Sequence, residues 1–195
     1  ASPWKIALCV TGGGSRICGD LLTMPGASNT VLEITIPYSS AALTEFLGGI
    51  PDQFCSRETA LSMASVAWRR AMNFATRDEG SARYCMGVSC TASLVSSKPK
   101  RSEHRLWIAI ESAIGSRVVS LTLIKEIRSR EEEEAVAAGL LLSTICEACQ
   151  LDTPTLPPLA ANETVTVETE FLPGLIAELR SNDQSIVWSL PDGQL

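Results

Sequence analysis

Lys5-Ile6-Ala7-Leu8-Cys9-Val10-Thr11-Gly12-Gly13-Gly14-Ser15 is the stretch on which the fold turns. A short apolar run that ends in three glycines reads as a strand followed by a tight turn. Residues 15–23 then make a short helix, closed by Pro25-Gly26. The next apolar run, 31–36, is rich in β-branched residues and reads as a second strand. Glycines at such a turn let the backbone approach a ligand closely. The helix start behind them offers free N–H groups and a partial positive charge, which suit a phosphate. Thr11-Gly-Gly-Gly-Ser15 is neither a Walker A loop nor a GxGxxG pattern, so an ordinary tight turn is the alternative reading of the same residues.

Working outward, Pro37-Tyr38-Ser39-Ser40 turns the chain into a helix over 41–47. Gly48-Gly49 ends that helix, and Pro51 cannot continue it. Ser56 is a good N-cap for a long helix over 57–76, in which Ala60, Ala64, Trp68, Ala71 and Phe74 share a face. A strand over 84–90 follows, then a polar, basic loop over 94–105, then an antiparallel pair over 105–110 and 118–124 across Gly115. Ser129 caps the last long helix, 130–150, with Glu132 three positions later as a capping box requires. The run Glu131-Glu132-Glu133-Glu134 complements the dipole of that helix start. Strands alternating with helices, then a strand pair, predict an α/β fold: a three-layer α/β/α sandwich with a mixed sheet over residues 1–150. Residues 151–161 are rich in Pro and Thr and read as a linker. The tail to residue 195 contains two candidate strands, Val165-Thr-Val-Glu and Ile186-Val-Trp-Ser.

Composition narrows the function classes. The 195 residues are 45% hydrophobic, enough for one globular domain with a real core. The formal net charge is −6, which disfavours sequence-independent nucleic-acid binding, because that requires surplus Lys and Arg. No apolar stretch is long enough to span a bilayer and none reads as a signal peptide, so a cytoplasmic location with no membrane partner is expected. Seven cysteines, an odd count, point to reduced thiols rather than a disulfide framework. Cys146-Glu-Ala-Cys149 is a CxxC without a second half-site, closing a helix instead of opening one. No metal and no cofactor is implied.

Three motifs, in order and at their separations, resemble the CinA carboxy-terminal family, the PncC-type nicotinamide-mononucleotide deamidases. They are Thr11-Gly-Gly-Gly, Pro25-Gly26-Ala27-Ser28 and Pro37-Tyr38-Ser39. Ser56 and Met63-Ala64 also fit the family pattern, and the similarity runs over residues 5–150. A eukaryotic subgroup, in which a CinA-like module precedes a nucleotidyltransferase-like domain, is similar at three places, the first of which extends the Pro25 motif. These are Pro25-Gly-Ala-Ser-Asn-Thr-Val-Leu-Glu33, Lys98-Pro-Lys-Arg-Ser-Glu-His-Arg105 and Arg128-Ser-Arg-Glu-Glu-Glu133. The resemblance then implies that the tail leads toward such a second domain, and that the protein forms a homo-oligomer.

The family reaction is hydrolysis of an amide with release of ammonia. By resemblance, Thr11 takes the place of the family's nucleophilic serine, and Tyr38 that of its tyrosine, as the catalytic pair. A hydroxyl nucleophile needs an adjacent base. The family's lysine is Leu43 here, its glutamate is Val10, and its Thr-Gly-Ile-Ala-Gly-Pro loop is Ser89-Cys-Thr-Ala-Ser-Leu94. Substrate-binding residues on this reading are Gly12, Gly13, Gly14, Ser15, Ser89, Thr91 and Arg130, with Lys98, Arg101 and His104 of the basic loop. His104 is the chain's one histidine, a candidate phosphate ligand or proton carrier, or else a structural residue. Three readings of function stand: an amidohydrolase acting on a pyridine nucleotide, an inert nucleotide-binding or regulatory module, and an oligomerisation domain.

Overall fold

The computed structural model describes residues 2–77, 84–97 and 101–180. β1 (Lys5–Thr11) is buried on both faces from Ile6 onward, the pattern of a central parallel strand. It pairs in parallel with β2 (Val31–Thr35) on one side and β3 (Cys85–Ser93) on the other. Beyond β3, the strands β4 (His104–Ser112), β5 (Gly115–Leu123) and β6 (Thr166–Phe171) continue the sheet in antiparallel sense. The order is β2-β1-β3-β4-β5-β6, the mixed sheet expected from the sequence. Helices α1 (Ile17–Leu22) and α4 (Arg130–Ala148) cover one face. Helices α2 (Ser40–Leu47) and α3 (Arg57–Arg77) cover the other, completing three layers. A short helix, α5 (Gly174–Arg180), follows β6.

The caps read from sequence are in place. The Ser39 hydroxyl accepts from Ala42 N at 3.1 Å, and Ser56 Oγ accepts from Thr59 N at 3.2 Å. Ser129 and Glu132 form the reciprocal capping box of α4. Gly48 ends α2 in the left-handed region, at φ +76°.

The two faces of the sheet are filled differently. Toward α4 stand branched aliphatics, among them Ile6, Leu8, Val10, Val88, Leu106 and Ile108. Toward α3 stand small side chains: Ala7, Cys9 and Ala109 meet Ala60, Ala64, Ala67 and Ala71. Gly87 completes this face. A Cβ there would lie 2.0 Å from the Ala64 carbonyl oxygen and 2.1 Å from Trp68 N. The small residues thus set how close α3 comes to β3, and that sets the shape of the sheet's upper end. Phe74, expected on the buried face of α3, is half-buried instead, with the Arg70 guanidinium 5.8 Å from its ring centre.

Two elements depart from the sequence reading. The strand expected over 84–90 runs further, through the segment 89–94 that stands where the resembling family has a loop: β3 continues to Ser93, paired with β4 up to Arg105. Without the family's glycines and proline, nothing interrupts the ladder there. The segment after residue 150, read as a linker and tail, packs back on the domain. Leu156, Leu159 and Val165 join the core on the α4 side, and β6 adds a sixth strand. Pro157 sits against Gly139, where a Cβ would meet its ring at 2.9 Å. The candidate strand at 186–189 lies outside the described residues. No helix among the described residues is long and apolar enough to cross a membrane.

Glu163 anchors the returning segment. Its carboxylate accepts from Arg128 at 2.5 and 2.7 Å, and from the N–H groups of Ile124 and Ala160 at 2.8 Å each. Arg128 foremost, then those two N–H groups, lower its carboxyl to about 2. The folded chain therefore binds this proton less readily than the unfolded chain. The stabilisation is present above the ordinary carboxylate range and is lost as pH falls toward 2.

Two outcomes follow from this packing. Gly87→Ala is expected to lower stability by about 1–3 kcal/mol, read in a denaturant melt followed by circular dichroism. A wild-type midpoint would contradict the close approach of α3. Glu163→Gln is expected to lower the melting temperature at neutral pH and to weaken the loss of stability between about pH 4.5 and 2. A variant that melts like the wild type across that range would show that Glu163 does not anchor the segment.

Candidate functional site

In an open α/β sheet, the crevice lies beyond the carboxyl ends of parallel strands, where successive connections leave to opposite faces. β1 and β3 form that point here. The connection from β1 to β2 passes through α1 on one face, and that from β2 to β3 through α2 and α3 on the other.

The glycine turn sits at the end of β1. Gly12 and Gly14 have φ of +75° and +84°, which L side chains adopt at a cost. A Cβ on Gly12 would also lie 1.9 Å from the Ala92 carbonyl oxygen, so this turn packs directly on the end of β3. Gly13 N donates to Thr11 O at 2.9 Å.

The turn divides the expected site in two. On the α2 side lies a cleft of about 230 Å³. Thr11, Gly12 and Thr91 form its floor, Tyr38, Ser39 and Leu43 one wall, and Phe54 and Cys55 the other. Thr11 is buried, and its hydroxyl donates to the Pro37 carbonyl oxygen at 2.9 Å. That bond ties the end of β1 to the turn before α2, and it directs the proton to a group that cannot keep it. Tyr38 is 71% exposed and is one of the residues lining the cleft. Leu43, in the place of the family lysine, is buried in the small-residue core. Thr91 Oγ1 donates to Phe54 O at 2.7 Å. The Cys55 thiol points to Thr91 O at 3.7 Å and Arg105 O at 3.6 Å. Burial pushes that thiol up from its ordinary value, partly offset by the Arg105 guanidinium.

On the α4 side lies a polar network. Gly14 N donates to Glu134 Oε2 at 2.9 Å, while Ser15 Oγ and Arg16 N donate to Oε1 at 3.1 Å each. These are the donors that sequence reasoning assigned to a phosphate, and the chain's own carboxylate takes them. Arg130 donates to Gly12 O at 2.9 Å and Val95 O at 3.2 Å, and pairs with Glu134 at 3.5 Å. It holds the turn rather than facing the cleft. Glu133 is fully buried, accepting from Val95 N at 2.7 Å and lying 2.7 Å from His104 Nδ1.

The sequence-predicted residues thus separate. Thr11, Gly12, Tyr38 and Thr91 come together in the cleft. Gly14, Ser15 and Arg130 join Glu134, and Gly13 packs against Leu94. Ser89 lies under α3, donating to Ala60 O at 2.7 Å. His104 opens β4 and is buried against Glu133. Arg101 is exposed, with its carbonyl accepting from Lys125, and Lys98 lies outside the described residues. The run of four glutamates is more than a helix start, since Glu133 and Glu134 are structural acceptors for distant segments. Among the described residues, no group of three His, Cys, Asp or Glu side chains is arranged to hold a metal ion.

This is the α/β fold of the CinA-like proteins. No family model matches the chain, and no curated protein matches its sequence. Solved structures do match in fold. The competence or damage-inducible protein of Enterobacter asburiae superposes with a TM-score of 0.57 at 10% identity, covering 75% of this chain and 88% of that one. The competence/damage inducible protein CihA of Agrobacterium tumefaciens gives 0.56 at 20% identity, over 76% and 86%. A CinA superfamily protein of Escherichia coli gives 0.56 at 12% identity, over 75% and 81%.

Removing the internal acceptor tests the α4-side network. Glu134→Ala is expected to cost about 1–3 kcal/mol in chemical denaturation, because it strands the partly buried N–H group of Gly14. Glu134→Gln, which keeps an acceptor oxygen, is expected to lose less. A neutral Glu134→Ala would contradict the bonding described.

Proposed function

We propose that this domain is a CinA-like binding module whose cleft takes a pyridine nucleotide, or a flat amide of similar chemistry, without hydrolysing it. The observation that carries the reading is the Thr11 hydroxyl bonded to Pro37 O beside a leucine where the family has lysine. Attack by a hydroxyl requires a neighbouring group that accepts its proton. The cleft lining as described contains hydroxyls, a thiol with its pKa pushed up and apolar groups. A carbonyl oxygen cannot serve as general base near neutral pH. The lining does suit recognition: Tyr38 and Phe54 offer rings to a flat heterocycle, and Ser39, Ser40 and Ser93 stand near to meet amide or ribose groups.

The amidohydrolase reading is retained as the second, because Thr11 and Tyr38 line the same cleft, as the resemblance requires. On that reading Thr11 is the nucleophile, and Tyr38 assists proton transfer.

Nicotinamide mononucleotide separates the two. Binding raises the melting temperature through linkage, and the proposal expects that rise with no ammonia release above a Thr11→Ala control. Ammonia release that disappears in Thr11→Ala, and in the shape-conserving Thr11→Val, would establish the hydrolase instead. No rise with any pyridine nucleotide would remove both.

A further inference from the structure

We infer that Arg105 is the anion-recognising residue of the cleft, and that the ligand is a small flat molecule carrying one phosphate or carboxylate group. The inference rests on the reading of this cleft as the ligand site. It replaces the glycine turn and Arg130 as the place where negative charge is met.

The cleft lining, as described, includes no charged side chain. A ligand anion therefore needs a cation at the rim. Arg130 is held by Gly12 O, Val95 O and Glu134 on the far side of the turn. The donors of Gly14, Ser15 and Arg16 face the Glu134 carboxylate, so a phosphate there would meet a like charge. Arg105 is placed differently. It stands opposite Ser93 in the β3–β4 register, and Ser93 lines the cleft. Its guanidinium donates to Gln53 Oε1 at 3.3 Å and lies against the Cys55 thiol, at the wall formed by Phe54 and Cys55.

Arg57, Arg70, Arg117, Arg128, Arg130 and Arg180 each pair with a glutamate, whereas Arg16, Arg69, Arg101 and Arg105 form no ion pair with another described residue, and of these four Arg105 is the one set beside the Cys55 wall of the cleft. Among the described residues, the side-chain partners of Arg105 are a neutral amide at long range and a thiol. A guanidinium presents five N–H donors in a planar fork matched to carboxylate and phosphate oxygens. Among the described residues, most of that fork is uncommitted. Gln53 steadies the side chain, and its own backbone oxygen accepts from Thr59, which fixes it to the start of α3. Charge-assisted, bidentate pairing at this rim would orient the ligand with its ring toward Tyr38 and Phe54.

The test is titration calorimetry on the full chain with three probes: nicotinamide mononucleotide, nicotinate and nicotinamide riboside. They carry a phosphate, a carboxylate and no anion. The expected result is that at least one anionic probe binds about tenfold or more tighter than the riboside. Which anionic probe wins distinguishes phosphate from carboxylate. Arg105→Gln removes that advantage and leaves the riboside unchanged, Arg105→Lys retains part of it, and Arg69→Gln, an exposed control, retains all of it. Melting curves of the Arg105 variants that match the wild type confirm that folding is intact. If anionic probes bind wild type and Arg105→Gln equally, the assignment of Arg105 is overturned while the cleft stands. If the riboside binds as tightly as both anionic probes, the anionic ligand class is wrong. If none of the three binds, the cleft reading falls and the inference with it.

Discussion

The Glu134 carboxylate reaches from the start of the second turn of α4 to three donors at the glycine turn, one of them Gly14 N, 120 positions earlier in the chain. Most of the upper end of the molecule depends on that contact. It fixes the turn after β1 to the helix on the far side of the sheet. Arg130, one helical turn earlier, then grips Gly12 O and Val95 O. Glu133 holds Val95 N and His104. Residues from one helical turn thereby join the ends of β1 and β3 and the start of β4. Buried polar groups satisfied in this way are costly to break, because each loses its partner away from water.

The same contact decides what the site can do. A glycine turn before a helix offers its N–H groups to an anion, and here an internal anion already takes them. What remains open is the cleft on the other side, lined with hydroxyls, rings and a thiol. Its geometry favours holding a ligand over activating a nucleophile, since the Thr11 proton rests on a carbonyl oxygen and Leu43 fills the place of the lysine in the resembling family. Recognition and catalysis make different demands on the same fold, and a fold alone does not choose between them.

Much of the architecture was legible in the residues. The run from Lys5 to Gly14, the caps at Ser39, Ser56 and Ser129, and Gly48 each act through local geometry, which a sequence displays directly. The sixth strand was half legible, as Val165-Thr-Val-Glu alternates like a strand, but the prolines before it read as a linker. Their packing against Gly139 and the burial of Glu163 on Arg128 are long-range facts. The site was legible only in part for the same reason. Four consecutive glutamates look alike at a helix start whether solvated or engaged, and apart from the Arg130–Glu134 pair the partners of Glu133 and Glu134 lie 29 to 120 residues away. Arg105 sat at the end of a basic loop with nothing local to single it out. Its register with Ser93 is what brings it to the cleft.

On the proposed reading a ligand binds on the α2 side of the glycine turn, while Glu134 takes the donors on the α4 side. Amide chemical-shift mapping with nicotinamide mononucleotide is the direct test. The amides of Gly12, Ser39, Thr91 and Arg105 are expected to move on titration, while those of Gly14 and Arg16 stay where they are. Shifts greatest at Gly14 and Arg16 would contradict it, because the turn would then be taking the anion and Glu134 would be yielding its place.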